Sequence, residues 1–349
     1  MTDLFRFCAI SPYLCLSHFN RMKKRMSMRV SILVLEDCTP MAPIAAMEIL
    51  NKAGMIHQEI TRSPRPFFQT ELVSVKSRQV KASSQLNLHC HIALKDLVQT
   101  DLLLIPAMEF DVEEKLARNG MALPHLKRLY EKGAELGSLC TGAFLLAATG
   151  LLNHKSATTH WYAAPVFRTL FPEVRLEDHK IIVDEGGLYT SGGAASSMHL
   201  GMYITEKYCG KETANQAARM LLLDGNESLQ TRYSMFIPQM KHTDERILKA
   251  QKLIEEGQEE KQTVESMAAA IHMSKRSFIR RFKAATGNTP IEYIQRMNVE
   301  KAKRQLEKSK QSVEEIIYSL GYNDIHSFRK IFIRYTDLTP KEYRSRYRF

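Results

Sequence analysis

"TVESMAAAIHMSKRSFIRRFKAATGNTPIEYI", Thr263 to Ile294, is followed by a second version of itself, "SVEEIIYSLGYNDIHSFRKIFIRYTDLTPKEYR", Ser312 to Arg344. Val264 pairs with Val313, Glu265 with Glu314, Ile271 with Leu320, Phe278 with Phe328, Phe282 with Phe332, and Thr289-Pro290 with Thr339-Pro340. The offset grows from 49 to 50 residues, which places one inserted residue near the second copy's turn. Each copy predicts a short helix opened by a Thr or Ser cap, a tight turn, and a longer helix with two Phe at i and i+4 facing inward. That is the helix-turn-helix plan, whose second helix enters the major groove.

Away from the Phe stripe lie Lys275, Arg276, Ile279 and Arg280 in the first copy and Ile325, His326, Arg329 and Lys330 in the second. These are the expected DNA-contacting residues, since Arg takes the O6/N7 edge of guanine bidentately. One basic amphipathic helix would be no more than a solvated face; two at a fixed spacing argue for recognition. Between them "PIEYIQRMNVEKAKRQLEKS" opens with Pro at a helix N-terminus and is expected to carry Ile291, Ile294, Ala302 and Leu306 on one side. A helix of roughly 17 residues is about 25 Å long. It would hold both readers rigidly enough to reach major-groove faces one turn, about 34 Å, apart.

Charge follows the same division. From Lys241 onward 23 Lys and Arg face 15 Asp and Glu, whereas Met28 to Met240 is nearly neutral, with 21 against 22. A basic C-terminal part on a neutral body points to a polyanion partner, double-stranded DNA. Cysteines 8, 15, 38, 90, 140 and 209 show no CxxC spacing, which argues against a zinc site and a secreted disulfide scaffold and for the cytoplasm. His89-Cys90-His91 would alternate faces on a strand, a poor metal site. The first 27 residues place their charges after their apolar part, the reverse of a secretory signal, and read as a disordered leader or as translation upstream of a start near Met26 or Met28.

From Arg29 to about Leu223 short apolar runs alternate with amphipathic ones. "RVSILVLE", "ELVSVKS", "DLLLIPA", "AELGSLC" and "KIIVDEG" read as strands; Pro40–Lys52, Glu113–Glu131 and Ala194–Tyr208 read as helical. The expected fold class is α/β: a doubly wound parallel sheet, then an all-α double helix-turn-helix domain. The expected division is a leader at 1–27, an α/β domain at 28–223, a linker at 224–243 and a DNA-binding domain at 244–349. In "ELGSLCTGAFLLAATGLL", Glu135 to Leu152, Cys140 stands at a strand-to-helix corner, at the carboxyl end of the sheet where ligands gather. A helix N-terminus there would favour the thiolate, as in a nucleophile elbow; the plainer reading is a small residue packed where helix meets sheet.

Asp244 to Arg348 resembles the AraC/XylS family of transcription regulators, most specifically in "SFRKIFIRYTDLTPKEYR", Ser327 to Arg344. Asp337 stands where that family usually has Gly, and Ile279 and Ile325 where many members carry polar base readers. The N-terminal part resembles the PfpI group of class I glutamine-amidotransferase-like domains, with a flavodoxin-like fold, through "CTGAFLLAATGLLNHKSATTHW", Cys140 to Trp161, and the stretch from Tyr189 to Leu221. The resemblance puts Cys140 at the nucleophile position, His160 at the following histidine, Ala42 at the acidic partner's position, and His199 where an Asp is common. Glu36 or Asp37 is expected as the substitute from the neighbouring loop. With no acid to orient the pair, the domain is expected to bind a small-molecule effector at Cys140, Thr141, His160, Gly192 and Gly193, without catalysis, cofactor or metal. The resemblance implies a transcriptional regulator, an activator, that is a homodimer through its N-terminal domain and works with RNA polymerase. The competing readings are a cysteine-dependent amidase or deglycase fused to a DNA-binding domain, and an architectural DNA-binding protein.

Overall fold

The computed structural model describes residues 26–76, 78–193, 195–223, 229–240, 242–256 and 263–348. The expected leader, up to residue 25, and positions 224–228 and 241 of the expected linker lie outside the described residues. The chain divides into two compact units, the second beginning at Leu229.

In the first unit seven strands form one sheet: β1 (Met28–Val34), β2 (Phe68–Ser74), β3 (Ile92–Ala93), β4 (Leu102–Ile105), β5 (Glu135–Leu139), β6 (Ile182–Asp184) and β7 (Leu188–Ser191). Their order is β6-β7-β5-β4-β1-β2-β3, parallel throughout except for the β6–β7 hairpin. Every residue of β4 and β5 is buried, as strands covered on both faces must be. The helices are α1 (Met41–Thr61), α2 (Val112–Asn119), α3 (Leu123–Glu131), α4 (Gly142–Ala148), α5 (Ala164–Leu170) and α6 (Ser196–Leu221). α1 packs closely on α6, where a Cβ on Gly201 would stand 2.9 Å from Ile49 Cγ2.

Three sequence expectations change. "KIIVDEG" is an antiparallel edge strand, because the tetrapeptide Leu188–Ser191 intervenes between it and β5. Only Leu188 and Tyr189 of it are apolar, too short a run to read as a strand; its Thr190 hydroxyl accepts from Thr158 N (2.8 Å) and its Ser191 hydroxyl donates to Ser138 O (3.0 Å), which makes the burial of its polar half tolerable. Glu113–Glu131 is two helices, broken by a 3-10 turn at Gly120–Ala122 just before Pro124. The helices predicted from Pro40 and Ala194 run further than expected, to Thr61 and Leu221, the latter turning through Gly210 at φ +84.

The second unit contains α7 (Glu245–Glu256), α8 (Val264–Ala270), α9 (Lys275–Thr286), α10 (Pro290–Lys308), α11 (Val313–Ser319), α12 (Ile325–Thr336) and α13 (Pro340–Tyr347). The repeat extends to its caps. Thr263 and Ser312 form capping boxes at the first helices, and Thr289 with Glu292 and Thr339 with Glu342 do so after the readers. The turn is left-handed at His272 (φ +53) in one copy and at Gly321 (φ +80) in the other, and the inserted residue follows it. Asp337 adopts φ +57 at the end of α12, where the first copy has Gly287 at φ +72, a conformation Asp tolerates. Met267, Phe278, Phe282 and Tyr293 centre one core; Ile316, Phe328, Phe332 and Tyr343 centre the other. Ile291 does not join Ile294, Ala302 and Leu306. It is 55% exposed, and Tyr293 and Val299 take the buried side of α10 instead.

Phe278 and Phe328 are fully buried. Truncation of either to Ala is expected to cost about 3–5 kcal/mol, whereas Lys330→Ala on the exposed face should stay within about 0.5 kcal/mol. Urea unfolding followed by circular dichroism measures both.

Candidate functional site

The corner between β5 and α4 is held in a strained shape by its neighbours. Cys140 has φ +55, costly for a side chain with a Cβ. Its N–H donates to Ser191 O (2.8 Å), and its carbonyl accepts from the Thr159 hydroxyl (3.1 Å). The Thr141 hydroxyl donates to Met108 O (2.5 Å) and accepts from Met108 N (2.7 Å), which fastens the corner to the loop after β4. Gly142 is required by that approach: a Cβ there would lie 2.6 Å from the carbonyl oxygens of Ile105 and Pro106. The elbow is therefore built, and it gathers Cys140, Thr141 and the Ser191-Gly192-Gly193 segment at the carboxyl ends of β5 and β7. Gly192 N donates to Ile181 O (2.8 Å), and Gly193, at φ +87, accepts from Ser196 N (3.1 Å) as the chain turns into α6.

Cys140 is 5% exposed, and burial pushes its thiol up to about 11, against smaller lowering from hydrogen bonds with Thr141. Of the two readings of this corner, burial favours the small residue packed where helix meets sheet, since loss of water opposes the dipole of a helix seven residues long. His160 opens a 3-10 turn, and its Nδ1 accepts from Tyr162 N (3.1 Å). A backbone N–H can only donate, so the ring is the neutral tautomer with its proton on Nε2; burial lowers its affinity for a second proton. At the start of α1 Ala42 is 2% exposed and apolar. The Asp37 carboxylate, a possible substitute acid, pairs with Lys115 (3.2 Å) and Arg118 (2.7 Å). Glu36 lines a recess of about 20 Å³ with Lys76 and Arg118, too small for a metabolite.

An aromatic cluster beside the elbow was not anticipated. The Phe110 ring lies 5.2 Å from His160 and 4.8 Å from Tyr162, and Trp161 is 5.3 Å from His160. Phe110 and Tyr162 are each 49% exposed. The run "HWY" at 160–162, with the chain's sole Trp, was the available signal. Among the described residues no group of three or more His, Cys, Asp or Glu is placed to hold a metal, and His91 Nδ1 accepts from Leu72 N (3.0 Å). No helix among them is long and apolar enough to cross a membrane.

On α9 the outward face is Arg276, Arg280 and Lys283 at i, i+4 and i+7, all exposed. The same face of α12 carries His326, Lys330 and Ile333, with Arg334 beside them. Lys283, Ile333 and Arg334 extend the predicted set, and the helical spacing alone would have found them. Ile279 and Ile325 stand apart: each is partly buried against the core of its own repeat, which takes it out of the outward stripe. Lys275 pairs with Glu265, and Arg329 with Glu314 (3.3 Å), each acid lying in the first turn of the preceding helix. Both pairs are exposed, so a phosphate could displace the acid at little cost.

A doubly wound sheet with a cysteine elbow, joined to two helix-turn-helix units with basic outward faces, defines a class of DNA-binding regulators. The chain belongs to the DJ-1/PfpI family, whose model matches residues 28–207, and a helix-turn-helix domain model matches residues 267–346. It is similar to the HTH-type transcriptional regulator GbdR of Pseudomonas aeruginosa, 21% identical over 92% of this chain and 85% of that protein. CdhR, an HTH-type transcriptional regulator of the same organism, is 24% identical over 88% of each chain. A solved structure described as a transcriptional regulator from Vibrio parahaemolyticus is 26% identical, with a TM-score of 0.50, and spans 56% of this chain and 99% of its own.

Two measurements follow from the elbow. At pH 7 only about one thiol in ten thousand would be ionised for a group titrating near 11. Iodoacetamide labelling of Cys140, read by peptide mass spectrometry, should therefore be slow at pH 7 and rise about tenfold per pH unit through pH 10; half-maximal reactivity below pH 8 would contradict the burial argument. Gly142→Ala should destabilise the first unit by about 1–3 kcal/mol through overpacking, seen as a lowered thermal midpoint.

Proposed function

We propose that this protein is a sequence-specific DNA-binding transcriptional regulator, an activator, whose DJ-1/PfpI unit binds a small metabolite at the elbow without transforming it. The observation that carries the reading is the duplicated basic stripe. Arg276/Arg280/Lys283 and His326/Lys330 project from two readers whose opposite faces are locked into separate cores. Arg276 and Arg280 are assigned to base edges, Lys275 to phosphate, and Arg329 and Lys330 to the second half-site. The effector reading is supported by a corner that gathers four chain segments beside the exposed rings of Phe110 and Tyr162. Against turnover stand the protonated thiol, the His160 proton on Nε2, and Ala42 where an acid would orient the pair. The regulator is expected to act in the cytoplasm as a homodimer through its first unit and to recruit RNA polymerase. The other reading, a cysteine-dependent amidase or deglycase, draws on the strained φ of Cys140.

Arg280→Ala should weaken operator binding by about 1–3 kcal/mol and relax specificity at one or two base pairs, whereas Lys275→Ala should weaken all sequences alike. Gel-shift titration against operator variants decides this, and wild-type affinity should fall steeply between 50 and 200 mM salt.

Cys140→Ser should leave effector-dependent reporter activation largely intact, and Cys140→Trp should abolish it by filling the corner. The effector should be recovered chemically unchanged. Stoichiometric conversion by the wild type, absent in Cys140→Ser, would establish the enzyme reading instead.

A further inference from the structure

We propose that Leu229–Gln239 is a strap that sets the second reader's orientation relative to the first, with Arg232 as its positioning residue. The inference rests on the DNA-binding reading above. The segment reads in sequence as the end of a loose linker, yet it is bonded along its length to both repeats. At its start Arg232 places Nε and Nη2 on Asp337 Oδ2 (3.2 and 2.9 Å), at the left-handed residue that ends α12. Tyr347 Oη donates to Arg232 O (3.3 Å), and Arg346 Nη2 donates to Tyr233 Oη (3.1 Å).

Midway, Lys303 of α10, 4% exposed, donates to Ser234 O (2.8 Å) and to Glu300 (2.8 Å). A buried ammonium whose ligands include a strap carbonyl makes the strap's position costly to change. Further on, Phe236 packs edge-on against Tyr293 (4.9 Å). Arg296 stands over both the Phe236 ring (5.7 Å) and the ring of Tyr335 on α12 (5.1 Å). At the far end Gln239 O accepts from Gln251 Nε2 (3.0 Å), and Gln239 Oε1 accepts from Asn288 Nδ2 (3.3 Å), one residue past the cap of α9. The strap thus touches the C-terminal end of each reader.

The two ends differ in one respect. Asp337 gives the second reader a carboxylate where the first has Gly287, so only the second reader can be held by an ion pair from the strap. The Arg232–Asp337 pair is partly exposed and adds little stability; what it contributes is direction, through two N–H donors on one oxygen. In the chain the strap is the first segment of the second unit.

The test uses the full chain and an operator of two half-sites selected by the wild type, prepared also with one base pair added or removed between them. Asp337→Gly is the central variant, because Gly accepts the left-handed cap and the fold is kept. It should bind a first-half-site probe within twofold of wild type, bind the full operator at least tenfold more weakly, and lose most of the wild type's penalty for altered spacing. Arg232→Ala should do the same. Arg232→Asp combined with Asp337→Arg should restore the spacing penalty. Unchanged spacing discrimination in Asp337→Gly, equal loss on the half-site probe, or failure of the exchanged pair to restore it would each overturn the proposal. A wild type that selects no operator would instead overturn the DNA-binding reading beneath it.

Discussion

The packing of the second Phe of each reader on a Tyr of the following helix fixes the DNA-binding unit. Phe282 meets Tyr293 at 5.2 Å with rings at 86°, and Phe332 meets Tyr343 at 5.6 Å and 86°. An edge-to-face contact between buried rings leaves little rotational freedom, so it sets the roll of α9 and α12 about their own axes. Once the roll is set, the outward residues are determined: those at 276, 280 and 283, and at 326, 330 and 333. The basic character of Arg276, Arg280, Lys283 and Lys330 then matters, because their direction is no longer free. α10 carries Tyr293 near its start and Leu306 near its end, one in each core. It converts two local packings into one frame.

How much of this was legible depended on whether the determining interaction is local. The helix-turn-helix units were legible because caps, turns and the Phe spacing act within a few residues and occur twice. The α/β class and the Cys140 corner were legible from alternation and from Thr141-Gly142. β7 was not. Leu188–Ser191 owes its place to bonds with Thr158 and Ser138, and its own residues carry no strand period. Ile279 and Ile325 illustrate the same limit: helix spacing put them outside the Phe stripe, but neighbouring helices widen the buried face to include them. The Leu229–Gln239 strap was hidden for a related reason, since its partners Asp337, Lys303 and Tyr293 are scattered through the following hundred residues.

At the elbow, two electrostatic effects oppose each other, and their sizes decide the outcome. A helix N-terminus contributes a fraction of a unit charge and is effective where water or a polar partner already surrounds the thiol. Burial removes the solvation of a full charge, the larger effect by several-fold. With the thiol at about 11 and His160 holding an acceptor nitrogen toward Tyr162 N–H, neither partner of a thiolate–imidazolium pair is favoured. Asp37 cannot redress this, because Lys115 and Arg118 already occupy its carboxylate.

The strain at Cys140 can serve something other than nucleophilicity. A left-handed non-glycine residue costs about 1–3 kcal/mol and persists only where surrounding contacts over-determine it. Here those contacts tie the Cys140–Gly142 corner to three separate segments: Ile105 to Met108, Thr159 and Ser191. A junction of this kind is stiff, since no segment can shift without disturbing bonds to the others. On the proposed reading, a ligand seated against Phe110 and His160 would bear on the segments of Met108 and Thr159 together, and both are bonded to the corner. A ligand shifts a conformational equilibrium only by its difference in affinity for the two states, and a junction that couples several segments enlarges the structural difference available to a small molecule. The geometry that positions a nucleophile in an enzyme is, by the same connectivity, suited to reporting occupancy when the nucleophile is silent.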